Sequence, residues 1–66
     1  MLKSRLKIVL AEQNMKSKEL ADIMGVSAVV VSNWVNSKSH PTTSMLFELA
    51  HKLNVKVDDL YEYIPE

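Results

Sequence analysis

Side chains able to make charged or directional contacts gather between Lys16 and Thr43. Lys16, Ser17 and Lys18 stand together; Asn36, Ser37, Lys38, Ser39 and His40 form a second polar group, with Thr43 soon after. Between the groups, a largely apolar run carries Ala28, Val29, Ser32 and Asn33. Ammonium groups attract anions, while hydroxyls and amides both donate and accept hydrogen bonds. This is the chemistry of recognition. No serine, histidine and acid fall into a nucleophile set, and no phosphate loop or nucleotide fingerprint occurs, so no enzyme is expected. His40 and His51 are eleven positions apart with no cysteine or suitably spaced acid, so neither a metal site nor a cofactor is expected. Asp58 and Asp59 are adjacent and would diverge on a helix, where the positive first turn accounts for them.

The elements that must position these residues follow from local signals. Leu20, Ala21 and Met24 share one face of a helix over about Ser17 to Met24. Gly25, the only glycine, stands where a helix closes in a left-handed residue that a β-carbon would penalise. Ser27 can cap a second helix, to Val35, through its hydroxyl. Val31, Trp34 and Val30 turn this helix inward, leaving Ala28, Val29, Ser32 and Asn33 outward near its start. Ala21 is small enough for the two helices to cross closely. Helix, glycine turn and capped helix is the arrangement that lays one helix in the major groove of DNA.

Three further helices are expected. The first runs from Lys3 or Ser4 to Gln13, with Leu6, Val9 and Leu10 inward, Asn14 as its left-handed end and Met15 at the corner. The polar loop Asn36 to Thr42 contains Pro41, which cannot continue a helix. The fourth spans Thr43 to Leu53, with Leu46, Leu49, Ala50 and Leu53 at helical spacing and Asn54 closing it. The last covers Val57 to Tyr63 before Pro65, so residues 57–66 are a short helix with an acidic tail, and residues 1–66 form one all-α, five-helix domain.

Composition agrees with one small packed unit. The chain has 66 residues, 47% of them hydrophobic, which argues against disorder. There is no cysteine, hence no disulfide or thiolate metal site. No apolar run approaches the roughly 20 residues that span a bilayer. Lys3, Arg5 and Lys7 interrupt any signal-peptide pattern, so a cytoplasmic location without membrane association is expected. The zero net charge conceals a division by position. Residues 1–56 hold all eight basic residues against four acids, a balance of +4, and residues 57–66 hold the other four acids. Charge beyond a Debye length is screened, so the local excess governs a phosphate partner.

The ordered set KELA (Lys18–Ala21), Met24-Gly25-Val26-Ser27, Val31-Ser32-Asn33-Trp34, Asn36 with Lys38 and Pro41, Leu49-Ala50, Leu53, Val55 and Asp58-Asp59-Leu60 resembles the phage-repressor and Cro type of helix-turn-helix domain. The likeness runs from about Arg5 to Tyr61. It implies a lambda-repressor-like five-helix fold and a sequence-specific regulator of transcription, a repressor that covers a promoter. Ala28, Val29, Ser32 and Asn33 would read base edges. Asn33 suits the N6 and N7 edge of adenine, and Ala28 or Val29 a thymine methyl, giving a half-site that leans to A·T. Lys16, Ser17, Lys18, Asn36, Ser37, Lys38 and Thr43 would bind phosphates on either side of the groove.

Three departures stand out. Where relatives have a threonine cap and a glutamine at the start of the second helix, this chain has Lys16 and Ser17, so Ser17 is expected to cap. Where relatives have glycine after the third helix, Asn36 or Ser37 must take the turn. Where relatives pair an arginine with a glutamate between the first and third helices, Leu10 and Val35 are both apolar and are expected to touch. One helix reads few base pairs, so double-stranded operator DNA is expected to be bound by a homodimer. Phe47, Tyr61, Tyr63 and Ile64 exceed the needs of a small core and could meet a second copy or another protein, or fold back over the first helix. The antitoxin of a toxin–antitoxin pair and a protein-interaction module that has lost DNA binding are the rival functions.

Overall fold

In the computed structural model, which describes residues 1–65, five helices lie between two short strands: β1 (Leu2–Ser4), α1 (Leu6–Glu12), α2 (Ser17–Met24), α3 (Ala28–Val35), α4 (Thr43–Leu53), α5 (Val57–Leu60) and β2 (Tyr61–Tyr63). The starts of α2 to α5 use two devices. Ser27 Oγ accepts from the Val30 N–H at 3.2 Å, and Thr42 Oγ1 accepts from that of Met45 at 3.3 Å. Before α2 and α5 the cap position holds a lysine, which has no acceptor to offer. There the Glu19 and Asp59 carboxylates accept from the N–H of Lys16 and Lys56, at 3.2 and 3.0 Å. Ser17 is thus the first residue of α2, and the capping role expected of it is filled by the reach-back of Glu19.

Four of the five helix ends, α5 excepted, share one device. Asn14, Gly25, Ser37 and Asn54 are left-handed, with φ of 54°, 69°, 59° and 56°. After each, the next N–H reaches back five residues to a carbonyl of the closing turn: Met15 to Leu10, Val26 to Ala21, Lys38 to Asn33 and Val55 to Ala50, all at 2.9–3.0 Å. Met15, Val26 and Val55 then pack against the core. Lys38 is the exception and is exposed.

Each helix contributes one completely buried side chain to a single cluster: Leu6, Leu20, Val31, Leu49 and Leu60. Ala21 and Trp34 are buried among them, and Val30, Val35 and Leu46 are partly covered against the cluster. Leu10, buried, and Val35, half-buried, line the same recess, together with Ala11, Met15 and Ser17.

The two chain ends depart from the expected helices. β1 pairs antiparallel with β2, Leu2 opposite Tyr63, Lys3 opposite Glu62 and Ser4 opposite Tyr61. Arg5 N–H donates to Leu60 O at 2.8 Å and Ile64 N–H to Met1 O at 2.8 Å, extending the ribbon at both ends. Hence α1 starts at Leu6 rather than at Lys3 or Ser4, and α5 stops at Leu60 rather than Tyr63. Either strand alone is too short to be stable, and its partner lies at the opposite end of the sequence. The Arg5–Glu62 ion pair across this ribbon is 3.8 Å long and half exposed, so it adds little. Tyr61 is buried, with its hydroxyl lacking a hydrogen-bond partner among the described residues.

Two stability outcomes follow. A β-carbon on Gly25 would meet nothing within 4 Å, so Gly25→Ala carries only the left-handed backbone penalty. It should lower stability by about 1–2 kcal/mol in urea unfolding. Burial pushes the Tyr61 phenol above its ordinary value of 10.0, outweighing the opposite pull of the nearby Ser4 hydroxyl, which lies outside hydrogen-bond geometry. The folded state therefore holds that proton more tightly, and the stability tied to it is complete below the ordinary value and lost as pH rises through the raised one. Tyr61→Phe should stabilise the chain by about 1 kcal/mol at neutral pH, because an unpartnered buried hydroxyl is removed. Its advantage over the native chain should widen above about pH 10 in urea titrations.

Candidate nucleic-acid interface

The interface is set by which side of α3 is anchored. Val31 and Trp34 are buried, and Val30 is half-buried against the core. Ala28, Val29 and Ser32 are exposed, as expected, and Val29 is 69% exposed despite its apolar side chain. Asn33 differs from the expectation of an outward residue by being half-buried. The loop after α3 folds against its backbone: the N–H groups of Lys38 and Ser39 both donate to Asn33 O, at 2.9 and 3.4 Å.

Ser32 and Asn36 are connected. Asn36 Nδ2 donates to Ser32 O at 3.0 Å and to Ser32 Oγ at 3.3 Å. The Asn36 amide is therefore turned back onto α3, and the Ser32 hydroxyl keeps its own hydrogen to donate outward. Neither feature is visible in the sequence.

Cations precede and follow this face in the chain. Lys16 and Lys18 are exposed at the start of α2. Positive charge at that end works against the helix dipole, so these lysines do not serve the helix itself. Ser17 is half-buried and lines a recess of about 320 Å³ with Lys16, Lys7 and Val35. Lys7, in the first turn of α1, lines that recess too and was not among the expected residues. Beyond α3, Ser37 holds the left-handed turn, which settles the choice between it and Asn36. Its hydroxyl accepts from the Ser4 N–H at 3.2 Å, so it is engaged with β1. Lys38 and Thr43 are exposed. Trp34 is a core residue, and the exposed His51 lies on α4.

The sequence of folds and faces has counterparts among known proteins. The helix-turn-helix family model matches residues 6–60. The chain belongs to the helix-turn-helix family. This agrees with the likeness to the phage-repressor and Cro type read from the residues. The crystal structure of a candidate DNA-binding protein from Bacteroides fragilis is similar, with a TM-score of 0.88 and 39% identity over 94% of this chain and 100% of that one. No curated protein matches.

Of the four residues expected to exceed the core's needs, Tyr61 does not: it is buried, its ring T-shaped to that of His40. Phe47 and Tyr63 are 62% and 69% exposed, and Ile64 is half-buried. The chain end pairs with β1 instead of lying over the first helix. No helix among the described residues is long and apolar enough to cross a membrane.

The charge-assisted start of α2 generates one outcome. Glu19→Ala removes the carboxylate that accepts from the Lys16 N–H. It should lower stability by about 1 kcal/mol in thermal or urea unfolding, the usual loss for a helix cap.

Proposed function

We propose that this helix-turn-helix chain is a sequence-specific, double-stranded-DNA-binding regulator of transcription, a repressor, that places α3 in the major groove. The observation that carries the proposal is the pinning of α3 by Val31 and Trp34, which leaves Ala28, Val29 and Ser32 exposed at the end of the helix that enters a groove first. Lys16 and Lys18 on one side, and Lys38 on the other, supply the phosphate contacts that fix register without reading sequence. The fold likeness to the Bacteroides fragilis protein supports the same function.

Roles follow from chemistry. Ala28 and Val29 offer methyl groups to thymine, Ser32 donates to a base acceptor, and Asn33 pairs with adenine where its half-buried amide reaches the groove. Ser17, Asn36, Ser37 and Thr43 assist at the backbone, with Asn36 acting chiefly by holding Ser32. A single α3 spans too few base pairs for an operator, so two copies bind a pair of half-sites about one helical turn apart. The unit is one domain, and Phe47, Tyr63 and Ile64 are the apolar residues left for a second copy.

One observation favours a second function. The net charge is zero and Val29 is unusually exposed, as a protein-binding face would be. Selection from random duplexes with the native chain separates the two. An enriched palindrome with steep salt dependence supports the regulator; no binding at low salt supports the protein-interaction module. In the selected duplex, Asn33→Ala should relax preference at one base position by about 1–3 kcal/mol, measured by competition with single-base variants. Lys38→Ala should weaken all duplexes alike and reduce the salt slope by about 1.

A further inference from the structure

The loop after α3 is held at two points by the paired ends of the chain. Ser4 and Tyr61 stand opposite each other in the β1–β2 ribbon. Ser4 donates its N–H to Ser37 Oγ at 3.2 Å, across 33 positions of sequence. The rings of Tyr61 and His40 meet T-shaped, with centroids 5.3 Å apart and planes at 81°. One cross-strand pair thus grips positions 37 and 40. Lys38 and Ser39 lie between those grips, their N–H groups drawn to Asn33 O. Lys38 is also the one residue after a left-handed helix end that is exposed rather than packed on the core.

We propose that Ser4 and Tyr61 are positioning residues for Lys38: acting through Ser37 and His40, the terminal ribbon fixes where this loop meets a DNA phosphate. The inference rests on the DNA-binding function proposed above. Neither residue touches the partner. Ser4 acts through a backbone hydrogen bond and Tyr61 through a ring contact, and both would be lost if the chain ends parted. The loop is tied to α3 by the Lys38 and Ser39 N–H groups on Asn33 O and to the ribbon by the Ser37 hydroxyl, so the lysine has a fixed root. A fixed root reduces the ordering cost when its ammonium group binds.

A double-mutant cycle tests this with the full chain and a duplex selected by it. Tyr61→Leu keeps apolar volume in the core and removes the ring. Affinity should fall about five-fold, the scale of coupling expected for residues linked through shared contacts. The salt slope should lose the share that Lys38 contributes, and adding Lys38→Ala should then weaken binding by less than about two-fold, against about five-fold in the native chain. Tyr61→Phe, which keeps the ring, should bind as the native chain does. Ser37→Gly should reproduce the Tyr61→Leu pattern with folding stability unchanged or raised, because glycine suits the left-handed turn while losing the acceptor. If Tyr61→Leu does not fold, His40→Ala, at an exposed position, takes its place in the cycle.

The proposal is overturned if Lys38→Ala weakens binding by the same factor with and without the Tyr61 ring, or if Tyr61→Phe loses affinity as Tyr61→Leu does. It is also overturned if Lys38→Ala has no effect in the native chain. In each of those cases the native chain still binds duplex with steep salt dependence, so the DNA-binding function stands. Absence of duplex binding by the native chain at low salt overturns both.

Discussion

The anchoring of α3 along one side is the constraint on which the rest depends. Val31 and Trp34 are buried in a cluster to which every helix contributes, so α3 cannot roll without exposing an indole and a fully buried valine. Burying side chains of that size stabilises by about 1.5–3 kcal/mol each, a large fraction of what a domain this small commands. With rotation fixed, Ala28, Val29 and Ser32 stay in solvent. Ala21, small and buried on α2, permits the close approach, and Gly25 turns the chain between the helices. The exposed face of α3 is therefore a consequence of the core.

The same economy appears at the helix ends. Four closures repeat one left-handed turn, and three of them use the next residue to add apolar packing. The fourth places Lys38 there, forgoing burial for an exposed cation. The lysines beside the start of α2 are likewise badly placed for the helix dipole. Lys16 and Lys18, set against the dipole of α2, and Lys38, which adds no core packing, bracket in sequence the helix whose outer face carries small and hydrogen-bonding groups.

Much of this was legible from residue types. The limits of α2 and α4, the caps at Ser27 and the left-handed turns at Asn14, Gly25 and Asn54 all depend on interactions within a few residues, so the chain announces them locally. The inward set Val31 and Trp34 follows from helical period and size. The candidate site was legible as a list of outward residues, but its internal bonds were not. Asn36 holding Ser32 depends on a rotamer, and the half-burial of Asn33 depends on how the next loop folds.

Sequence alone thus determined the helices, their closures and the face of α3, since each is governed by the period of a helix or the backbone preference of one residue. Tertiary structure decided the ends. Leu2–Ser4 and Tyr61–Tyr63 carry helical or ambiguous local signals, and only pairing across the whole chain makes them strands. That pairing brings Ser4 to Ser37 and buries Tyr61 beside His40. Contacts between residues so far apart in the chain have no local signature: closing the loop between them costs entropy, and only the completed core supplies the free energy that offsets it.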